Sequence, residues 1–244
     1  MKIKAILLDK DGTLIEFEKT WHRVFQNIFR ELKQRWELPS ETVETLKDLS
    51  GVTAEGFEKE SLIQYAPVEE IIDRWMEVLN RVEENPRGKK QITKERLQAL
   101  MEEQSKGPDA AVVPLDNTVE TVQRLHHRGF ILGVATADSF ASTEHNLGAL
   151  GIRRYFSFIG SDDGCFKGKP DPHMGQAFCE RFHLHPGEVL YIGDSVTDML
   201  FAENAGFHFI GIKGEHNEYE RFLENQYPVV NNIGEIEEKI PAGE

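Results

Sequence analysis

The chain has 244 residues, 39% hydrophobic and 29% charged, which suits a large packed core and excludes global disorder. Acidic residues outnumber basic ones 42 to 28, a formal charge of −14, so nucleic acid and anionic membrane surfaces are disfavoured as partners. Two cysteines without C-x-x-C spacing argue against a disulfide framework or a cysteine zinc site. No signal-peptide pattern and no run of ~18 apolar residues is present, so a cytoplasmic location is expected.

Residues 3–8 form a nearly unbroken apolar run, the pattern of a strand buried on both faces. The run ends on Asp9, with Asp11 two positions later in the segment DKDGT. From residue 15 to 112 the pattern changes. Helical windows lie at 21–36 and 68–82, strand-like runs are almost missing, and the polar stretch 83–90, with Pro86 and Gly88, predicts a loop. Asn117 with Glu120 predicts a helix N-cap with its reciprocal partner, followed by the stripe Val119, Val122 and Leu125 and by Gly129 past the end. Apolar runs at 130–135, 156–159, 189–192 and 207–212 and near 228–230 predict five more strands. Met174, Ala177, Phe178 and Phe182 mark one intervening helix, and 197–205, closed by Gly206, another. The acidic, polar chain after Gly214 predicts a solvated edge. Strands alternating with such helices predict a parallel sheet built by right-handed crossovers.

Ligands bind beyond the carboxyl ends of strands in such sheets. Three predicted strands finish on reactive polar residues: Asp9 and Asp11, then Thr136 with Ala137 and Asp138, then Asp194 with Asp198 four positions on. Lys169, in the loop KGKPDP, can bring an ammonium to the same rim. Taken singly, each residue is more readily a turn, a cap or a surface charge. Their convergence on one rim is the informative feature. Two carboxylates ~5 Å apart repel by roughly 3 kcal/mol at an effective dielectric near 20, so a cluster of Asp9, Asp11 and Asp194 needs protons or a cation. A hard divalent ion, magnesium where a phosphate completes the shell, suits oxygen donors of this kind. A calcium EF-hand does not fit, because its sixth and twelfth positions would be Leu14 and Thr20 in place of Gly and Glu.

DKDGT, ATADS, KGKPDP and GDSVTDM, in that order, resemble the four motifs of the haloacid dehalogenase superfamily, most closely its phosphoglycolate phosphatase-like branch. The resemblance covers roughly residues 1–14 and 114–234. It implies an α/β fold with a Rossmann-like parallel sheet core in three α/β/α layers, residues 1–14 and 113–244, and an inserted α-helical cap domain, 15–112. It further implies a magnesium-dependent phosphatase acting on a small-molecule phosphate monoester, phosphoglycolate-like or a sugar phosphate. Asp9 would be the nucleophile and Asp11 the acid and base. Thr136, Ala137 and Lys169 would hold the phosphoryl group. Asp9, Asp11 (through its carbonyl) and Asp194 would bind Mg2+, with Asp198 a further ligand or an outer partner. Where the family often has an apolar residue, Lys10 is expected to point away from the site with little effect, and Asp11 is expected to sit among like charges. Ala137 stands where Asn is common. A phosphomutase would keep the same motifs. A phosphorylated receiver module fits less well, because a long helical insert follows the first motif. Trp21, His22 and Phe25 are candidates for substrate contact, although cap-core packing is the favoured role for Trp21 and Phe25. The sequence leaves the oligomeric state open.

Overall fold

The computed structural model describes residues 2–59, 61–82, 92–107, 110–214 and 219–240. The predicted loop at 83–90 lies outside the described residues. The chain divides into two units, Phe17–Ala111 and the pair of segments Met1–Glu16 and Val112–Glu244. Among the described residues, no helix is long and apolar enough to cross a membrane.

The first unit is helical: α1 (Phe17–Gln34), α2 (Ser40–Ser50), the single turn α3 (Leu62–Tyr65), α4 (Val68–Val82) and α5 (Lys94–Ser105). In α1, Val24, Phe25, Ile28, Phe29 and Leu32 fall on one face and are buried, as helical periodicity requires. They pack with Ile71, Ile72, Trp75 and Leu79 of α4 and Leu97, Leu100 and Met101 of α5. Trp75, fully buried, donates its indole N–H to Ser50 Oγ at 2.8 Å, so its one polar atom is satisfied. Phe25 belongs to this core and Trp21 packs partly buried against it. The His22 ring and the Gln26 amide both approach the Thr53 carbonyl, at 3.0 and 2.8 Å. The sequence windows covered only α1 and α4. The other helices are shorter and carry fewer apolar positions, so periodicity marks them weakly.

The second unit is a six-stranded parallel sheet in the order β3-β2-β1-β4-β5-β6. Its strands are β1 (Ala5–Leu8), β2 (Ile131–Thr136), β3 (Phe156–Ser161), β4 (Val189–Gly193), β5 (His208–Ile212) and β6 (Val229–Val230). Its helices are α6 (Thr118–His127), α7 (Phe140–Ala149), α8 (His173–Phe182), α9 (Val196–Ala205) and α10 (Glu220–Glu224). Successive strand residues point to opposite faces. Ile6, Leu8, Leu132, Val134, Leu190 and Ile192 accordingly pack on one side with Val122 and Leu125 of α6 and Leu147 of α7. Ala5, Leu7, Ala135, Val189 and Tyr191 pack on the other with Phe178 of α8, Phe201 of α9 and Phe222 of α10. Helices thus cover both faces, which is the three-layer α/β/α arrangement. The crossover direction reverses between β1 and β4, and that junction is where an open α/β sheet leaves a crevice at its carboxyl edge.

Two local expectations are corrected. Asn117 adopts φ 64° and makes no capping bond to α6. Its amide donates to Asn232 Oδ1 at 3.3 Å, so a contact across the fold replaces the predicted cap and leaves Glu120 without a reciprocal role. The chain after Gly214 is not merely a solvated edge: Phe222, Val230, Ile233 and Ile236 are buried in the sheet unit. Isolated apolar residues in a polar stretch carry no periodicity, yet each finds a place on the core.

Candidate active site

β1 delivers Asp9 to the carboxyl edge, where its backbone N–H continues the ladder by donating to Ile192 O of β4 at 2.8 Å. The chain then turns sharply: Leu14 and Ile15 donate to Lys10 O at 2.8 and 3.0 Å, and Gly12 donates to Ile15 O at 2.9 Å. Gly12 has φ +77°, and a Cβ there would stand 2.2 Å from Asp194 Oδ2, so only glycine lets this turn pass so close to the loop after β4. Gly193 serves the same purpose next door, where a Cβ would meet that of Asp198 at 2.4 Å.

Lys169 reaches this edge from the loop between β3 and α8. Its Nζ lies 2.6 Å from Asp9 Oδ1, 2.6 Å from Asp198 Oδ1 and 3.3 Å from the Tyr191 hydroxyl. Asp198 is held on every side. Oδ1 also accepts from Tyr191 at 2.8 Å, and Oδ2 accepts from the Ser195 N–H at 3.1 Å and hydroxyl at 2.6 Å. Ser195 in return caps α9 by accepting from the Asp198 N–H at 3.1 Å, a capping box that starts the helix at Val196, one residue before the predicted Thr197. Asp9, Asp194 and Asp198 each place a carboxylate oxygen within 4.8 Å of the others.

The electrostatics follow from burial. Asp9 is pushed up to about 7, because loss of hydration outweighs the lowering by Lys169, and Asp198 and Asp11 add to the rise. Asp194 is held well above the carboxylate range by burial and then by Asp9 and Asp198, against a smaller opposing pull from Lys169. Burial also pushes Asp198 upward, but the Lys169 ammonium and the bonds from Lys169, Ser195 and Tyr191 outweigh it and keep the carboxyl below its ordinary value. In Lys169 burial favours the neutral amine, yet Asp198 and Asp9 prevail and hold the charge on.

Thr136, 1% exposed, ends β2, the strand paired to β1 with Val134 opposite Leu8. Its hydroxyl oxygen accepts from the Asp138 N–H at 3.1 Å, which leaves the hydroxyl proton to donate elsewhere. Ala137 follows in the same turn, half-buried.

Lys10 overturns its expectation. Its side chain is 0% exposed, and Nζ lies 2.7 Å from Asp11 Oδ2 and 2.7 Å from Asp138 Oδ2. Burial opposes the charge, but Asp11 and Asp138 outweigh it and raise the lysine above its ordinary value. The charge beside Asp11 is therefore an ammonium, and the anticipated crowding by like charge is relieved there. The Asp11 carboxylate turns to Lys10, whereas Asp9, Asp194 and Asp198 group around the carboxyl edge of β1 and β4. A lysine beside a strand end is ordinarily expected to reach water, so nothing local foretold this pairing. Tyr191 was also missed: a hydroxyl in the otherwise apolar strand VLYIG was the available signal.

Five carboxyl groups (Asp9, Asp11, Asp138, Asp194, Asp198) thus face two ammonium groups (Lys10, Lys169), and full ionisation of all five would leave an excess of three negative charges. Oxygen donors at this spacing, with two acids driven toward protonation, fit a hard divalent cation.

Residues 6–212 match the family of haloacid dehalogenase-like hydrolases. The chain belongs to that family. It is a haloacid dehalogenase-like hydrolase of the phosphatase type. It is 30% identical over 212 residues to the protein PpaX of Clostridium perfringens, covering 86% of this chain and 84% of that one. It is 28% identical over 221 residues to a phosphoglycolate phosphatase of Nitrosospira multiformis, covering 89% and 86%. Among solved structures, CbbY from Rhodobacter sphaeroides in complex with phosphate superposes with a TM-score of 0.70 at 21% identity, covering 96% of each chain, a likeness of fold. In this haloacid dehalogenase-like chain the four sequence motifs fall on one sheet edge: the ends of β1, β2 and β4 and the loop that carries Lys169.

Proposed function

We propose that this hydrolase is a magnesium-dependent phosphatase that cleaves a small phosphate monoester, phosphoglycolate-like or a sugar phosphate, through an aspartyl-phosphate on Asp9. The observation that carries the reading is Lys169, whose buried ammonium bonds Asp9 and Asp198 at 2.6 Å each beside Asp194. A phosphoryl transfer site needs a nucleophile held in line and concentrated positive charge, with little other chemistry.

In the proposed sequence the Asp9 carboxylate attacks phosphorus and the bond to the ester oxygen breaks. Lys169 spreads the charge of the transferring group, while the Thr136 hydroxyl and the Ala137 N–H donate to its oxygens. Asp11 gives its proton to the departing alkoxide. A water then attacks the acyl phosphate, Asp11 takes up the proton, and inorganic phosphate leaves with Asp9 restored. Two easier displacements replace one difficult one. Magnesium, held by Asp9, Asp194 and the backbone carbonyl of Asp11, would supply the positive charge that the acidic rim lacks. Asp198 braces Lys169, since both its oxygens already accept hydrogen bonds. The helical unit, inserted in the chain between β1 and β2, is assigned the role of a cap that selects the substrate. Free thiols at Cys165 and Cys179 accord with a cytoplasmic enzyme.

The test is phosphate release from a panel of monoesters, phosphoglycolate and hexose phosphates included, with Mg2+ present. Wild type is expected to turn over at least one, and Asp9→Asn to lose on the order of 10³-fold or more. Full activity in Asp9→Asn would remove the nucleophile assignment.

A further inference from the structure

We propose that Lys10 is a positioning residue for Asp11: anchored by Asp138, its buried ammonium holds one oxygen of the Asp11 carboxylate and so fixes the orientation in which that carboxyl exchanges the proton. The inference rests on the acid–base role given to Asp11 above.

The geometry is a clamp. Lys10 Nζ pairs with Asp11 Oδ2 and with Asp138 Oδ2, each at 2.7 Å. With the Asn146 amide turned to satisfy both its ends, its oxygen accepts from Lys10 Nζ at 3.1 Å and its nitrogen donates to Ser142 O at 3.3 Å. Asp138 is itself fixed. Its Oδ1 accepts from the Ser139 N–H at 2.7 Å, and its own N–H donates to Thr136 Oγ1 at 3.1 Å. One lysine therefore joins the loop after β1, with the proposed acid, to the loop after β2, with the phosphate-binding hydroxyl. With Oδ2 tied to Lys10, the Asp11 side chain loses its rotation, so the carboxyl is presented in one orientation for proton transfer.

Stability does not account for the arrangement. A buried ion cluster is commonly no more stable than well-packed apolar residues of the same volume, although removing one member alone strands the others. A methionine would fill the space of Lys10 without charge. A cation at a fully buried position, on the residue between the two proposed catalytic aspartates, points to placement of the carboxylate.

The reaction's two halves separate this role from general structural support. With p-nitrophenyl phosphate the leaving phenolate needs no proton, so the pre-steady-state burst of p-nitrophenolate is independent of Asp11. Hydrolysis of the phosphoenzyme, and any attack on an alkyl ester, depends on it. The variants are Lys10→Met and Lys10→Met/Asp138→Asn, the second removing the carboxylate charge that the first leaves stranded. Both are checked for folding by circular dichroism and thermal melting, with Mg2+ present. In each folded variant the burst rate should stay near that of wild type, while steady-state turnover of the preferred alkyl phosphate falls on the order of 10²-fold with KM little changed. Burst and turnover falling together, or neither falling, overturns the proposal, as does failure of both variants to fold. Asp11→Asn is the benchmark. If it retains turnover, or if wild type shows no burst, the fault lies in the acid–base or phosphoenzyme reading. If Asp11→Asn keeps its burst and loses turnover while Lys10→Met leaves both unchanged, the positioning role alone is wrong.

Discussion

Replacing Gly12 by alanine tests the contact that brings the first and fourth motifs together. Two penalties combine. The residue holds φ +77°, where an L side chain costs about 1–2 kcal/mol relative to glycine. The added methyl would lie 2.2 Å from Asp194 Oδ2, 2.5 Å from its Cγ and 2.8 Å from Oδ1, so that carboxylate must leave its position. Forcing a side chain off its rotamer adds about 0.5–1.5 kcal/mol. The sum, about 1.5–3.5 kcal/mol, corresponds to a melting point lowered by about 3–14 °C for a protein of this size. Gly151→Ala is the matched control, because its φ is +69° with no atom within 4 Å of the built Cβ, so it carries the backbone penalty alone. Thermal melting followed by circular dichroism reads the stability, and calorimetric titration with Mg2+ reads the placement of Asp194. Gly12→Ala should lose both stability and cation affinity, and Gly151→Ala only part of the stability. Equal melting points for the two variants, with cation affinity intact in both, would refute the steric argument.

In metal-stripped protein, Asp9 has a folded pKa of about 7 against an ordinary value of 3.8. The stability it contributes is therefore complete below about 3.8 and is lost as pH rises through about 7. Mg2+ should accordingly raise the melting temperature more at pH 8, where it meets ionised carboxylates, than at pH 5, where it must displace protons. A shift of the same size at both pH values would argue against a carboxylate site. Tyr191→Phe removes the hydroxyl that donates to Asp198 at 2.8 Å and lies 3.3 Å from Lys169. The expected cost is about 1–2 kcal/mol in stability with a several-fold fall in kcat, read by melting and phosphate release. An unchanged kcat would show that Lys169 is positioned without the tyrosine.

Much of the sheet was legible from residue order. All six strands announce themselves as short apolar runs because both faces of a parallel sheet are covered, so no polar alternation breaks them. The rim residues were legible too, since parallel strands all end on the same edge. The helices were less so. The predicted cap at Asn117 failed because its amide found Asn232, 115 residues away. At the active-site edge a capping box does form, between Ser195 and Asp198, and its carboxylate also holds Lys169.

What the sequence determined by itself is the kind of element at each place and the chemistry carried to the sheet's edge, because hydrophobic period and motif spacing are local properties of the chain. Tertiary structure decided which oxygen meets which ammonium. Lys169 reaches Asp9 across 160 residues, and Lys10 turns inward to Asp138 of the neighbouring strand's loop. Strand order and register bring those partners within 3 Å, and neither is encoded in the spacing of the residues that meet. A buried charge takes whichever counter-charge the fold places beside it, because leaving it unpaired away from water costs more than any local preference can supply.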